Sequence, residues 1–202
     1  MDLKQVQRRR KQTIIAGLIL LAGVLPFVSS LALPESLPRE AIEVVGVALI
    51  VLCILGRTWT SLYIGGRKKS ELVTTGPFSV VRNPLYVFSL IGVAGFGMCS
   101  GSAAVGLLAA AAGLLIFHRV VLSEEAFLAD AFPGAYADYM RRVNRWLPHF
   151  SGWQDVEETV VRPHLVLVTF RDACYFLIAI PLFELLDYFQ SIGTLPVLIR
   201  LP

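Results

Sequence analysis

The chain has 202 residues, of which 55% are hydrophobic and only 16% are charged, and its mean hydropathy is +0.67. This composition excludes an ordinary water-soluble domain and favours a polytopic membrane protein. The formal net charge of +3 gives no reason to expect nucleic-acid binding, and we interpret it as a signal of membrane topology.

Four apolar stretches are candidates to cross the hydrocarbon core, which takes about 20 helical residues. They are Thr13–Leu33, Ala41–Trp59, Tyr86–Cys99 and Ser102–Leu122. We expect Pro26 to kink the first span, because membrane helices tolerate proline. The third is short and Gly-rich, so it is either tilted or extended by residues of the preceding loop. The small residues of the fourth allow close helix packing. The first run is too long for a cleaved signal peptide and lacks a clear cleavage site.

A fifth apolar stretch, Pro163–Phe189, is interrupted by the charged residues Arg171, Asp172, Glu184 and Asp187. It could form a tilted span, an interfacial helix, or a helix whose charges face a cavity, and we favour a fifth membrane-embedded helix. The predicted fold is therefore all-α: a polytopic membrane helical bundle of four core transmembrane helices, a fifth C-terminal helix and a cytosolic amphipathic segment, in one domain covering residues 1–202.

The basic residues indicate the orientation of the bundle. They form three groups: Lys4, Arg8, Arg9, Arg10 and Lys11; Arg57, Arg67, Lys68, Lys69 and Arg82; and Arg119, Arg141, Arg142 and Arg145. By helix parity all three groups fall on one side of the membrane. The positive-inside rule then places the N-terminus in the cytosol.

Cysteine and histidine suggest neither a disulfide framework nor a metal site. Cys53, Cys99 and Cys174 are odd in number and lie in or beside apolar segments without metal-type spacing, so we interpret them as packing residues. The three histidines are scattered. The phosphate-loop, dinucleotide-binding and serine-hydrolase motifs are absent from the sequence.

Two polar segments between the predicted spans contain the residues that indicate a functional site. The first, Gly76–Tyr86, contains Arg82 and Asn83, and Pro84 restricts Asn83 to extended conformations. Charged residues at the mouths of membrane helices are costly and usually mark a site. An isolated interfacial Arg could simply reach toward lipid headgroups.

The second polar segment, residues 123–148, adds an acidic pair that needs a partner. Glu124 and Glu125 are predicted near the C-terminal end of a helix, where the macrodipole disfavours negative charge. Arg82 and Arg119 are candidate partners by topology. Tyr136 and Tyr139 are three residues apart and so share a helix face, although the same spacing also suits an amphipathic helix on the membrane surface.

These motifs, in this order, resemble the isoprenylcysteine carboxyl methyltransferase family and its phospholipid methyltransferase relatives. The motifs are Gly-Pro-Phe-x-x-Val-Arg-Asn-Pro-x-Tyr from Gly76, Glu-Glu from Glu124, and Tyr-x-x-Tyr-x-x-x-Val-x-Arg-x-x-Pro from Tyr136. The resemblance covers Gly76–Pro148. It implies an integral membrane methyltransferase that uses S-adenosylmethionine and lacks a Rossmann domain. The family most often has His where this chain has Asn83, which we expect to substitute by shaping the turn or hydrogen bonding.

The resemblance also implies the site residues. The implied cofactor-binding residues are Arg82, Asn83, Pro84, Tyr86, Glu124, Glu125, Tyr136 and Arg145, and the implied catalytic residues are Arg82, Glu125 and Tyr139. The implied acceptor is a lipophilic small molecule or lipidated substrate, most readily a carboxylate, since an ionised carboxylate needs no general base. An N-methyltransferase of phospholipid amines, a non-catalytic scaffold or lipid-binding protein, and a steroid-reductase-type enzyme remain alternatives.

Overall fold

The computed structural model describes residues 23, 25–32, 36–65 and 71–202. Most of the predicted span Thr13–Leu33 and the basic residues Lys4, Arg8, Arg9, Arg10, Lys11, Arg67, Lys68 and Lys69 lie outside the described residues. The helices are α1 (Leu37–Ile64), α2 (Pro77–Val80), α3 (Pro84–Met98), α4 (Ala103–Ala131), α5 (Ala135–Arg142), α6 (Pro163–Cys174) and α7 (Ala179–Ser191). The all-α prediction is therefore confirmed.

Among the described residues, three helical segments are long and apolar enough to cross a membrane: α1, α4 and the 29-residue stretch Pro163–Ser191. The last consists of α6, a 3-10 turn at Tyr175–Ile178, and α7, and it corresponds to the predicted fifth helix. The third predicted span is confirmed as a shorter apolar helix, α3, which begins at Pro84.

The helix that contains the predicted fourth span continues beyond the predicted end of that span, Leu122. Helix α4 continues to Ala131, so Glu124 and Glu125 lie inside it and are followed by almost two further turns. The residues from Ser123 to Ala131 include Glu, Ala and Leu, which are good helix formers, and they contain no Gly or Pro to end the helix. The predicted span ended at Leu122 because it was defined by hydropathy, and polar residues begin at Ser123.

The end of the first predicted span is not helical, which corrects that prediction. A 3-10 turn covers Leu25–Phe27, and β1 (Val28–Ser30) then pairs in parallel with β2 (Ile199–Leu201). Pro26 has no N–H to donate and so favours a break in the helical hydrogen-bond pattern. The resulting two-stranded sheet depends on a partner strand almost 170 residues away, which local pattern could not reveal.

The described residues form two compact units. The first contains the residues up to Ile50, Val93–Val120 and Phe176–Pro202. Its helices approach closely where glycines face each other: a Cβ on Gly46 would lie 2.9 Å from the Gly95 carbonyl oxygen, and one on Gly97 would lie 2.8 Å from the Gly106 Cα. Small residues thus serve the packing role expected of them.

The second unit, Val51–Gly92 and Val121–Tyr175, contains both polar segments. Residues 143–156, which we call the strap, run beside residues 76–82. The Arg82 N–H donates to the Asn144 carbonyl at 2.8 Å, the His149 N–H to the Val80 carbonyl at 2.9 Å, and the Gly76 N–H to the Gln154 carbonyl at 2.7 Å. These backbone hydrogen bonds hold the strap against residues 76–82.

Candidate functional site

The Arg82-Asn83-Pro84 turn forms the start of α3. Pro84 is the first residue of the helix, where its missing N–H costs nothing. The Asn83 carbonyl accepts hydrogen bonds from the N–H groups of Tyr86 at 3.0 Å and Val87 at 3.1 Å, as expected of an N-cap residue. The turn therefore fixes the backbone from which the Arg82 and Asn83 side chains project.

The Glu125 carboxylate joins both polar segments. Its Oε2 accepts from Arg145 Nε at 3.0 Å and from Arg145 Nη2 at 2.8 Å, while its Oε1 accepts from Asn83 Nδ2 at 3.0 Å. Arg82 Nη1 lies 3.6 Å from Oε2, and the Glu125 side chain is only 6% exposed. We call Arg82, Asn83, Glu125 and Arg145 the Glu125 cluster. Arg82, one of the two candidate partners of the acidic pair, therefore pairs with Glu125. Arg145, which the family resemblance implied as a cofactor-binding residue, lies closer to this carboxylate.

Asn83 performs a hydrogen-bonding role, as expected for a replacement of His. Its amide nitrogen donates to Glu125 and lies 3.4 Å from the Arg145 carbonyl oxygen. A neutral amide supplies both donors without titrating. The contacts of this side chain thus need no proton exchange.

Arg82 retains unused hydrogen-bonding capacity. Its side chain is 10% exposed, and among the described residues its Nε and Nη1 atoms have no hydrogen-bond partner. Its guanidinium also lies within hydrogen-bonding reach of the Tyr136 hydroxyl. Buried donors are nearly always paired, and an unpaired one costs free energy. These two donors could bind an anionic or hydrogen-bond-accepting group.

Tyr136 and Tyr139 share the buried face of α5. They are 1% and 3% exposed, and they pack with Val143 against Leu72, Leu128, Ala129 and Phe132. Their burial shows that this face points into the protein and not toward a membrane surface. The predicted common face of the two tyrosines is confirmed.

The two tyrosine hydroxyls are poor bases in this setting. Burial, together with the nearby Glu125 carboxylate, raises the pKa of Tyr136 to about 12. Burial raises the pKa of Tyr139 further, and its hydroxyl donates to the Phe78 carbonyl at 2.7 Å. Both groups are protonated at neutral pH. The catalytic role predicted for Tyr139 stays a prediction, and the geometry favours a positioning role for it.

A cleft of about 600 Å³, a figure that includes space open to solvent, lies beside the cluster. Seven of the nine predicted site residues line it: Arg82, Asn83, Pro84, Tyr86, Glu124, Tyr136 and Tyr139. Glu125 and Arg145 are absent from the lining and lie behind it. Most of the remaining wall is apolar.

Sequence reasoning missed Glu71, Leu72 and Val73, which line the cleft beside Ile64, Phe78, Leu85 and Leu128. Glu71 is the charged member of this group. It follows a run of basic residues and belongs to neither polar segment as we defined them, so no local pattern singled it out. The chain fold brings it to the same cleft as Glu124.

Comparison with known proteins supports one family. The phospholipid methyltransferase family model matches residues 42–135. The cobalt-zinc-cadmium resistance protein CzcN of Cupriavidus metallidurans is 36% identical over 156 residues, covering 77% of this chain and 72% of that protein. The nickel-cobalt-cadmium resistance protein NccN of Alcaligenes xylosoxydans xylosoxydans is 32% identical over 162 residues, covering 80% and 76%. No solved structure matches significantly. The chain belongs to the phospholipid methyltransferase family, which confirms the resemblance carried by its two polar segments.

Proposed function

We propose that the protein transfers a methyl group from S-adenosylmethionine to a lipophilic acceptor at the cytosolic membrane interface. The observation that carries the proposal is Arg82, which lines the cleft and whose buried Nε and Nη1 donors have no hydrogen-bond partner among the described residues. A planar guanidinium fork suits a carboxylate such as that of the cofactor. The basic groups of the sequence support the cytosolic orientation.

The other charged residues of the cleft suit the remainder of the cofactor. Glu71 and Glu124 line the same space, and carboxylates accept hydrogen bonds from an ammonium group and from ribose hydroxyls. The buried aromatic ring of Tyr136 also lies there, and aromatic faces attract cations such as a sulfonium. When bound, the cofactor supplies an electrophilic methyl group.

The task of the protein is then mainly to position the reactants. Methyl transfer requires the nucleophile, methyl carbon and sulfur to be aligned, and orientation of this kind can lower a barrier by several kcal/mol, on the order of 7–11 in favourable cases. The Glu125 cluster fixes the start of α3, α4 and the strap relative to one another. Glu125 acts in this proposal as a positioning residue, because both of its carboxylate oxygens accept hydrogen bonds from neighbouring side chains.

We further propose a carboxylate acceptor. Tyr136 and Tyr139 are protonated at neutral pH and Glu125 is engaged by Arg145 and Asn83, so these predicted residues offer no free base. An ionised carboxylate needs none. An amine acceptor is the alternative, with Glu124 as the base. Alkaline treatment of labelled product distinguishes the two, since methyl esters release methanol and N-methyl products keep their label.

The first test is binding of S-adenosylmethionine to purified protein in detergent, comparing wild type with Arg82→Ala. Arg141→Ala is the matched control, because Arg141 is exposed on α5, where it pairs with Asp138. We expect saturable binding by wild type and the control and loss of binding in Arg82→Ala. Unchanged binding by folded Arg82→Ala would contradict the assignment of Arg82. No binding by folded wild type would favour the non-catalytic scaffold.

The names of the two relatives refer to resistance to metal ions. We propose that this chain also serves metal tolerance and does so through its methyl-transfer activity. A strain lacking the gene should become more sensitive to cobalt, nickel or cadmium and should be rescued by wild type but not by Arg82→Ala. Rescue by an Arg82→Ala protein that cannot bind the cofactor would separate tolerance from methylation.

A further inference from the structure

The strap carries several exposed large apolar side chains. Leu147 is 75% exposed and Phe150 is 76% exposed, and Trp153 and Val156 are also exposed. Leaving such side chains in water forgoes about 1.5–3 kcal/mol each relative to burial. Clustered exposed apolar side chains of this kind mark an interaction surface.

Aromatic contacts fix the depth of the strap relative to α1. The Trp153 ring stacks on the Trp59 ring with centroids 5.7 Å apart and planes 12° apart, and Tyr63 Oη donates to Asp155 Oδ1 at 2.9 Å. Trp59 and Tyr63 lie in the last turns of α1, a helix long and apolar enough to span a membrane. Tryptophan and tyrosine at the ends of such helices sit at headgroup level.

The exposed apolar surface continues from the strap onto α1. Leu55 is 62% exposed, and Trp59 and Leu62 are also exposed. In a membrane helix these side chains face lipid. The strap is therefore attached, through the stacked tryptophans, to a surface that contacts the bilayer.

We propose that the lipid bilayer surface is the partner of the strap, with Leu147 and Phe150 inserted among the lipid chains just below the headgroups. This inference does not depend on methyl transfer. It gives the strap two simultaneous contacts: the bilayer on one side, and residues 76–82 and Glu125 on the other. Docking on lipid then stabilises the arrangement of Arg145 and Arg82 in the candidate site.

The first test measures depth. In a Cys174→Ser background, Phe150→Cys and, separately, the exposed control Glu157→Cys are labelled with bimane in phosphatidylcholine nanodiscs whose acyl chains are brominated near the headgroup. We expect at least twofold stronger quenching at position 150. Equal quenching at both positions would overturn the proposal. Protection of position 150 from both brominated lipid and aqueous iodide would also overturn it, by indicating that a second copy or another protein covers the strap.

The second test asks whether docking supports the site. Amide hydrogen exchange in nanodiscs is compared between wild type, Leu147→Ser/Phe150→Ser, and Val160→Ser, a control of similar exposure at 77% that lies beyond the strap. We expect at least tenfold faster exchange of the Arg82 and His149 amides in the double variant alone. Unchanged rates, or equal acceleration in the control, would refute the coupling. The depth test uses other variants and stands even if the double variant misfolds.

Discussion

Replacing Glu125 by Gln should destabilise the second unit more than the same change at neighbouring Glu124. Glu125 is 6% exposed and interacts with Arg82, Asn83 and Arg145. Removing one member of a fully buried pair costs about 3–5 kcal/mol. The Arg145 side chain is 31% exposed and can regain water, and the Gln carbonyl can still accept one hydrogen bond. We therefore expect a loss of about 2–3 kcal/mol in the free energy of unfolding.

The assay is unfolding by SDS titration in mixed micelles, followed by tryptophan fluorescence. Glu124→Gln is the matched control, because Glu124 is adjacent in α4 but faces the cleft. We expect it to cost about 1 kcal/mol or less in stability while weakening cofactor binding. A double-mutant cycle of Glu125→Gln with Arg145→Gln should show a coupling free energy of about 1–2 kcal/mol.

Two results would refute this reasoning. The first is a Glu125→Gln loss no larger than that of Glu124→Gln. The second is additivity of the Glu125 and Arg145 changes within about 0.5 kcal/mol, which is the usual result for independent sites. Either result would mean that the hydrogen bonds around Glu125 do not hold the polar segments together.

Further predictions concern Asn83, Tyr136 and Gly76. Asn83→His should keep cofactor affinity within about threefold, because a ring N–H can still donate to Glu125, whereas Asn83→Leu should weaken it about tenfold or more in the same binding assay. Because the pKa of Tyr136 is raised in the folded protein, the protonated hydroxyl contributes its full stabilisation below pH 10 and loses it as the pH rises toward about 12. The free energy of unfolding measured over that pH range should show this loss. The loss should be smaller in Tyr136→Phe. Gly76→Ala should cost about 1–3 kcal/mol in unfolding free energy, because Gly76 has φ +58° and an added Cβ would overlap the Tyr63 ring; Tyr63→Ala should recover only part of that loss.

The membrane helices were predictable because apolar length is a local property of the sequence. The second span was predicted as Ala41–Trp59 and lies within α1, and the short third span corresponds to α3. Hydropathy did not predict where helices end. Helix α4 continues past Leu122 through polar residues, because a helix needs backbone hydrogen bonds and suitable residues but not apolar ones. Residues 28–30 form a strand because their backbone pairs with a segment distant in the sequence, Ile199–Leu201.

The motifs identified the family and most of the cleft lining, since the order and identity of motif residues are written directly in the chain. The tertiary structure determined which of those residues line the cleft and which support the lining residues. Successive residues on a helix point about 100° apart, so Glu124 and Glu125 cannot share one role: Glu124 lines the cleft, and Glu125 lies behind it, bound to Arg145 and Asn83. These contacts join residues 20 and 42 positions apart in the sequence. Only tertiary packing determines which partners a buried acid contacts, because a buried charge without a partner pays an uncompensated desolvation cost.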